Sequence, residues 1–167
     1  MEVTYRGANG RDATALFALE EASYPSDEAA TLAGIVKRID EAGDFFLVAE
    51  VDGEIAGFVN GTLTTSSELT HDTMSTHEPT GSLLCVHSVV VAPELRRKGL
   101  ALSMLGRYLD GLKGSGPGAR VREIRLLCKE VLRPLYEKAG FELVGPSKVV
   151  HGKDQWLEMK MMCSNQT

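Results

Sequence analysis

The residues of this chain with the clearest chemical potential form a basic turn, Arg96-Arg97-Lys98-Gly99-Leu100-Ala101. An apolar, β-rich run over Leu83–Val91 precedes the turn, and a helical pattern over Leu100–Leu112 follows it. Glycine allows a backbone to come close to a ligand. The first turn of a helix offers unpaired amides and the positive end of the helix dipole. The turn therefore predicts a site for a phosphate or pyrophosphate group, strengthened by three basic side chains.

The common nucleotide signatures are missing. The chain has no G-x-x-x-x-G-K-[ST], and its turn has one glycine where dinucleotide sites have G-x-G-x-x-G. The glycines of Gly114–Gly118 follow a predicted helix and precede a predicted strand, which is the wrong order for a phosphate loop, so we interpret them as a connector. The basic turn instead matches [QR]-x-x-G-x-[GA], and so resembles the acetyl-CoA signature of the GNAT superfamily of N-acetyltransferases.

Further stretches resemble the arylalkylamine (serotonin) N-acetyltransferase family in particular. They are His87 in the strand before the turn, CKEVLRPLYEKAGF (Cys128–Phe141), EEASYPSDEAAT (Glu20–Thr31) and LTHDTMSTHEPTG (Leu69–Gly81). The likeness runs from about Arg6 to Met161. It implies acetyl transfer from acetyl-CoA, by direct attack in a ternary complex, to a primary amine of the serotonin, tryptamine or phenylethylamine type.

The resemblance also implies how the cofactor is held. In the GNAT sheet two central strands splay apart, and the exposed backbone of the first pairs with the pantetheine of CoA. The strand residues in that role are Val89, Val90 and Val91. The residues expected to hold the pyrophosphate, mainly through backbone amides, are Arg96, Arg97, Lys98, Gly99, Leu100, Ala101 and Leu102.

Acetylating an amine requires the removal of a proton, because a free alkylamine has a pKa near ~10. His87 is the candidate base, since histidine titrates near ~6.5 and is neutral at cytosolic pH. It precedes Val89 by two residues, so we expect the two side chains to share a face. The family has two histidines in an x-H-x-H pattern, and here Cys85 stands at the first position. His87 is therefore expected to act alone or through ordered water; a buried histidine bonded to backbone is the alternative.

The leaving thiolate is better expelled when it receives a proton. The resemblance places Tyr136 beside the CoA sulfur, as the acid for that step and as a cofactor contact; an aromatic core residue is the alternative. The donor to the carbonyl oxygen is expected to be a backbone amide of Val89 or its neighbour.

The resemblance assigns the organic part of the amine to an apolar slot formed by Tyr24, Leu127 and Trp156. Tyr24-Pro25 coincides with the predicted end of the first helix, as expected for a loop over the site. The acidic residues around this point are Glu20, Glu21, Asp27 and Glu28. They form a solvated helix end or attract a cation, and the second reading leaves a polyamine acceptor open.

Composition indicates one globular domain. The chain has 167 residues, 43% hydrophobic and 25% charged, and a net charge of −5, which argues against a general nucleic-acid binder. A signal peptide pattern and a membrane-length apolar run are both missing, so a cytoplasmic protein without a membrane partner is expected. In vertebrate members of the family that this chain resembles, terminal extensions carry the phosphorylation sites that recruit an adaptor protein. The chain begins just before its first predicted strand and ends just after its last, so no phosphorylation-dependent adaptor is expected. The sequence gives no oligomeric state.

Cysteines and histidines predict no further chemistry. Cys85, Cys128 and Cys163 form an odd set without metal spacing, and no disulfide is expected. The four histidines show no metal-binding pattern, so no metal is predicted.

The predicted fold class is α/β (α+β), a mixed and mostly antiparallel sheet of about seven strands, splayed at the cofactor site, with helices on both faces. Asp52-Gly53 predicts the turn of the clearest hairpin. The predicted strands are Val3–Arg6, two strands within Asp44–Gly61, Leu83–Val91, Arg122–Lys129, Phe141–Val144 and Gln155–Met162. The predicted helices are Arg11–Tyr24, Ser26–Ala42, Leu100–Leu112 and Leu132–Ala139, with one further helical turn within Thr64–Gly81.

Three alternatives stay open. The acceptor could be a polyamine or a protein on the same fold. The chain could be a CoA-binding module without catalysis. A covalent route through Cys85 is conceivable, because even spacing predicts that it shares a face with His87.

Overall fold

The computed structural model describes residues 1–114, 116–149 and 152–163 of the chain. The connectors at Gly114–Gly118 and His151–Gly152 each include a residue outside this range. The strands are β1 (Val3–Gly7), β2 (Phe46–Val51), β3 (Glu54–Thr64), β4 (Leu83–Val91), β5 (Glu123–Cys128), β6 (Glu142–Pro146) and β7 (Leu157–Met162). The helices are α1 (Ala13–Ser23), α2 (Leu32–Glu41), α3 (His71–Ser75), α4 (Leu100–Asp110) and α5 (Arg133–Ala139).

The seven strands form one sheet in the order β1-β2-β3-β4-β5-β7-β6. Only β4 and β5 run parallel, and every other neighbouring pair is antiparallel. The predicted fold class is therefore confirmed. Asp52 and Gly53 have φ values of 53° and 77°, so the β2–β3 hairpin closes with both turn residues in the left-handed region, as the Asp-Gly pair predicts.

Helices cover both faces of the sheet. On one face, α4 packs through Met104, Leu105 and Tyr108 onto a large apolar cluster that also includes Tyr136 of α5 and Phe141. On the other face, α1 and α2 bury a smaller cluster against Phe46, Val48 and Phe58. The short α3 lies near a third cluster on this second face, which contains Leu83 and Cys85 of β4.

The second helix begins later than the sequence predicts. Ser26 does not cap it; Thr31 does, by accepting the N–H of Gly34 at 3.0 Å. Residues 25–30 form a turn instead, because Glu20 of α1 accepts the N–H of Ala30 at 2.9 Å and so holds the segment against the sheet. A long-range carboxylate thus overrides the local helical pattern, and the turn becomes part of the site.

The parallel pair β4–β5 stays in register only from Leu83 to Val86. Beyond Val86 the β5-facing edge of β4 has no strand partner, while its other edge continues to pair with β3 as far as Val91. The central strands therefore splay apart at the carboxyl end of β4. A β-bulge lies at the same point, because Ser88 pairs with Asn60 and Val86 with Gly61, leaving His87 as the extra residue.

Candidate active site

Two cavities meet at the splay. The first, which we call the acceptor cavity, has a volume of about 460 Å³ and lies between α1, the 25–30 turn and the diverging strands. The second, which we call the strand-edge cavity, has a volume of about 600 Å³ and runs from the end of β4 to the start of α4. The residues that line both cavities are Ser23, Tyr24, Val89, Leu132 and Tyr136. The junction is therefore bounded by two tyrosines and the unpaired edge of β4.

The strand-edge cavity collects nearly all residues predicted for the cofactor. It is lined by Val89, Val90, Val91, Arg96, Arg97, Gly99, Leu100, Ala101 and Leu102. Gly99 has φ 81° and ψ 4° and precedes α4, and a Cβ placed on it would meet no protein atom within 4 Å. The space beside Gly99 is therefore open toward the cavity, as a ligand approaching the amides of α4 requires.

Two basic residues of the turn differ from expectation. Lys98 is exposed and does not line the cavity. Arg96 lines it, but its guanidinium is already engaged, donating through Nε to the Val91 carbonyl at 3.1 Å and through Nη2 to Ser23 Oγ at 2.9 Å. The Arg96 side chain therefore ties the end of α1 to the end of β4. The local sequence shows three basic residues, but only the fold determines that the Arg96 guanidinium bonds within the protein.

The expectation that His87 shares a face with Val89 is wrong, and the bulge is the reason. Val86 and Val89 both contact the cluster under α4, although they are three residues apart, so side-chain alternation is interrupted between them. His87 instead bonds Thr62, whose hydroxyl reaches the carbonyl of Thr73 in α3 on the opposite face. The bulge thus turns the imidazole toward the acceptor cavity, which it lines.

The hydrogen bonds of His87 define which nitrogen is available. The Thr62 hydroxyl has one proton and donates it to the Thr73 carbonyl at 3.3 Å. We therefore assign Nε2–H of His87 as the donor to that oxygen, at 2.8 Å. In this tautomer Nδ1 carries the lone pair, and it is enclosed without a hydrogen-bond partner among the described residues. Burial lowers the pKa of His87 well below its usual value, and the positive charge of Arg38 lowers it further, so the ring is neutral.

Cys85 shares the α3 side of β4 with His87 but is not placed as a nucleophile. It is fully buried and does not line the acceptor cavity, and its thiol faces the Thr73 hydroxyl at 3.9 Å. Burial raises the pKa of the Cys85 thiol to about 11. A thiol in this environment stays protonated at neutral pH, which disfavours the covalent route.

Tyr24 and Tyr136 stand at the junction with Val89. Burial raises the pKa of Tyr24, the nearby charge of Glu20 raises it further, and the neighbouring main-chain amide of Val89 partly opposes both. Burial, followed by the influence of Tyr24 and Cys128, raises the pKa of Tyr136 well above the ordinary tyrosine value. Both hydroxyls are therefore protonated at neutral pH, and both tyrosines line the two cavities together with Val89.

The far end of the acceptor cavity is apolar. Leu127 and Trp156, both predicted for substrate, line it together with Met74 and Val149. Lys129 lies over the Trp156 ring, 5.4 Å from its centroid. Its Nζ also pairs with Glu28 at 2.8 Å and with Asp154 at 2.9 Å, so this cation is part of the wall.

Two residues of the cavity, Ser88 and Arg38, were missed as functional candidates, and a third, Glu20, lies in a different environment from the expected helix end. Ser88 is buried and donates to Glu20 Oε1 at 2.9 Å, which joins β4 to α1. Glu20 is almost fully buried rather than part of a solvated helix end. Arg38 of α2 lines the cavity, although an arginine within an amphipathic helix is usually solvated. The apolar spacing of α2, with Ile35 and Ile39 buried, could have placed Arg38 beside the buried face.

Within residues 1–114, 116–149 and 152–163 no group of three or more His, Cys, Asp or Glu side chains could hold a metal ion. The helices of that same part of the chain are all too short or too polar to cross a bilayer.

A sheet splayed beside a glycine turn, with cavities on both sides of the splay, defines an acyl-CoA-dependent transferase fold. Residues 19–163 match the family model described as the acetyltransferase (GNAT) domain. The chain therefore belongs to the GNAT acetyltransferase family, whose cofactor is acetyl-CoA or CoA.

The chain is similar in sequence to curated proteins and similar in fold to solved structures. The serotonin N-acetyltransferase of Mesocricetus auratus is 35% identical over 109 residues, which cover 65% of this chain and 51% of that protein. The chain thus spans about half the length of the curated relatives it matches. The loading GNATL domain of CurA from Lyngbya majuscula superposes with a TM-score of 0.83 at 14% identity, covering 97% of this chain and 98% of that one. Diaminobutyrate acetyltransferase EctA from Paenibacillus lautus was solved with L-2,4-diaminobutyric acid and coenzyme A. It superposes with a TM-score of 0.68 at 22% identity, covering 95% of this chain and 94% of that one.

Proposed function

We propose that this chain transfers the acetyl group of acetyl-CoA to the primary amine of an arylalkylamine, by direct attack in a ternary complex. The observation that carries the proposal is the unpartnered Nδ1 of His87, enclosed at an acceptor cavity that joins the strand-edge cavity through Val89 and Tyr136. Acetyl-CoA supplies an acetyl group activated as a thioester. The open space at Gly99 and the unpaired edge of β4 suit its pyrophosphate and pantetheine.

The first task of the protein is to take a proton from the bound ammonium. His87 Nδ1 accepts it, while Thr62 keeps the other nitrogen protonated. A histidine with a lowered pKa is a weak base, but the same surroundings also lower the pKa of the ammonium. The cavity is largely apolar, and the charge of Arg38 acts on whatever cation enters. The proton transfer is therefore less uphill than the values in water suggest.

The second task is to bind developing negative charge. Val89 lines both cavities at the unpaired edge of β4, and its main-chain amide lies near enough to the Tyr24 hydroxyl to influence the pKa of that group. The Val89 N–H is the proposed donor to the carbonyl oxygen of the thioester.

The third task is to protonate the leaving thiolate. Tyr136 lines both cavities and keeps its proton at neutral pH, because burial raises its pKa. Its ring packs edge-on against Phe141 with centroids 6.0 Å apart, which fixes the position of the hydroxyl. The Tyr136 hydroxyl is therefore a positioned proton donor for a thiolate at the junction.

The aromatic acceptor is supported by the apolar end of the cavity, where Leu127, Met74 and Trp156 offer a flat hydrophobic slot. It is also supported by the likeness to serotonin N-acetyltransferases. A polyamine is less well supported, because Glu28 is paired with Lys129 and both oxygens of Glu20 accept hydrogen bonds. A second ammonium would therefore have to share each carboxylate with groups of the protein that already bind it.

The test compares tryptamine, phenylethylamine, spermidine and a short peptide as acceptors for acetyl-CoA. The rate of each reaction is measured from the release of the CoA thiol. We expect the two arylalkylamines to have the highest kcat/KM among these four. A preference of orders of magnitude for spermidine or the peptide would refute the acceptor class. Binding of acetyl-CoA without turnover on any amine would indicate a non-catalytic CoA-binding module.

A further inference from the structure

Arg38 is a cation at the acceptor cavity to which the proposed chemistry assigns no contact with the substrate. It lies on α2 between the buried Ile35 and Ile39, and its guanidinium lines the cavity. Its Nη1 is enclosed without a hydrogen-bond partner. Within the described ranges of the chain no carboxylate oxygen lies within 4.0 Å of it, since none of the ion pairs there involves Arg38.

An enclosed guanidinium nitrogen without a partner is costly, because burial removes its hydration and no counter-charge replaces it. Burial accordingly lowers the pKa of Arg38, although it remains charged. Glu20 is the nearest source of negative potential, but its two oxygens accept from Ser88 and Ala30. Arg38 is therefore a planar hydrogen-bond donor at the cavity, and its Nη1 has no partner among the described residues.

A second enclosed group without a partner lies close by and has the opposite character. Nδ1 of His87 is an acceptor, and the charge of Arg38 acts directly on that ring. An acceptor beside a guanidinium is complementary to a molecule that carries an ammonium and a carboxylate next to each other. Guanidinium and carboxylate match geometrically, since two parallel N–H groups can meet two oxygens.

We propose that the acceptor is an amine that also carries a carboxylate, namely an α-amino acid with an aromatic side chain, and that Arg38 binds the carboxylate. The proposal rests on the proposed N-acetyl transfer and narrows its substrate class. The amine lies at His87, the carboxylate at Arg38, and the aromatic side chain extends toward Leu127 and Trp156.

The kinetic test uses two matched pairs of acceptors, tryptophan with tryptamine and phenylalanine with phenylethylamine, because each pair differs only by the carboxylate. We expect the wild-type kcat/KM to favour the amino acid in both pairs. Arg38→Gln should lower the ratio of amino acid to amine by about 10- to 100-fold, the range for losing a hydrogen bond to a charged group. Arg120→Gln is the matched control, because Arg120 is exposed and lies outside both cavities, and it should leave the ratio unchanged.

A binding test separates this proposal from the transfer activity. Indole-3-propionate has the ring and carboxylate but no amine, and we expect it to raise the Tm of the wild-type protein more than its neutral amide does. This comparison needs no variant, so it holds even if Arg38→Gln fails to fold; Arg38→Lys, which keeps the charge, should retain part of the shift.

The outcomes are distinguishable. Acetylation of tryptamine over tryptophan, with equal Tm shifts for acid and amide, would overturn the role of Arg38 and leave the arylalkylamine function standing. No turnover on any acceptor, with a Tm shift specific to the acid, would support the carboxylate site and refute the transferase function. Equal shifts together with no turnover would refute both.

Discussion

Replacing His87 by glutamine tests the central feature of the site, an enclosed and neutral imidazole with its lone pair on Nδ1. Glutamine has a similar reach and keeps a donor for Thr62, but it cannot accept a proton at neutral pH. The change therefore removes the proposed base while keeping a polar side chain of similar length. It should affect both the pH dependence of stability and the rate of acetyl transfer.

The sign of the stability effect follows from the lowered pKa of His87. Between this value and about 6.5 the unfolded chain binds a proton that the folded protein does not, so the free energy of unfolding falls as the pH is lowered. Above about 6.5 both states are neutral and the contribution is flat. Between these two pKa values, each unit by which the pH is lowered decreases the free energy of unfolding by up to about 1.4 kcal/mol. For a domain of this size, that corresponds to a fall in Tm of about 3–6 °C per unit.

Thermal unfolding between pH 5 and 8 measures this effect. We expect Tm of the wild-type protein to fall more steeply below about pH 6.5 than Tm of His87→Gln. His77 also has a pKa lowered by burial, and it accepts the N–H of Leu63, so part of the slope remains in the variant. The comparison isolates His87 because His77 is present in both proteins. Identical slopes would show that His87 is not held neutral by the fold.

The rate provides the second readout. Loss of a general base typically costs 10²–10⁴ in kcat, and we expect the loss for His87→Gln to be largest at low pH, where the amine is hardest to deprotonate. Thr62→Val removes the hydroxyl that selects the tautomer while keeping the volume. We expect it to lower kcat about 10-fold, because roughly one hydrogen bond of free energy is lost. Unchanged kcat in both variants at every pH would refute the proposed proton path.

Three further predictions address the other parts of the site. Tyr136→Phe should lower kcat by about 10² or more while the Kd for CoA, measured by calorimetry, stays within a few fold; an unchanged kcat would exclude the tyrosine as the acid. Gly99→Val should weaken CoA binding more than 10-fold and lower Tm by about 2–8 °C, because a left-handed conformation costs roughly 1–2 kcal/mol for other residues; unchanged CoA affinity would contradict the assignment of the turn. Cys85→Ala should retain activity within a few fold, and the appearance of an acetylated wild-type protein by mass spectrometry, absent in this variant, would instead establish the covalent route.

Much of the fold was predictable because its signals are local. Asp52-Gly53 closes the hairpin, and Gly99 begins α4. Leu83–Val91 is buried on both faces and forms a central strand with the predicted bounds. These features depend on turn geometry and on apolar periodicity, which a sequence displays directly.

The second helix and the orientation of His87 were not predictable in the same way. Residues 25–30 leave the helical pattern because Glu20 captures Ala30 from a different element. His87 changes face because β4 carries one more residue than β3 at the bulge. Counting by twos along a strand assumes uninterrupted pairing, and only the partner strand shows where that pairing shifts.

The sequence by itself determined the class of chemistry, because the basic glycine turn, the preceding strand and Tyr136 lie in stretches that carry the family pattern. Only the tertiary structure decided how the charges are used. It bonds the Arg96 guanidinium to Ser23 and to the end of β4, places Arg38 at the acceptor cavity, and leaves Nδ1 of His87 enclosed without a hydrogen-bond partner among the described residues. The physical reason is that burial and the positions of distant partners set the availability of a charged group, and neither is encoded in the spacing of residues along the chain.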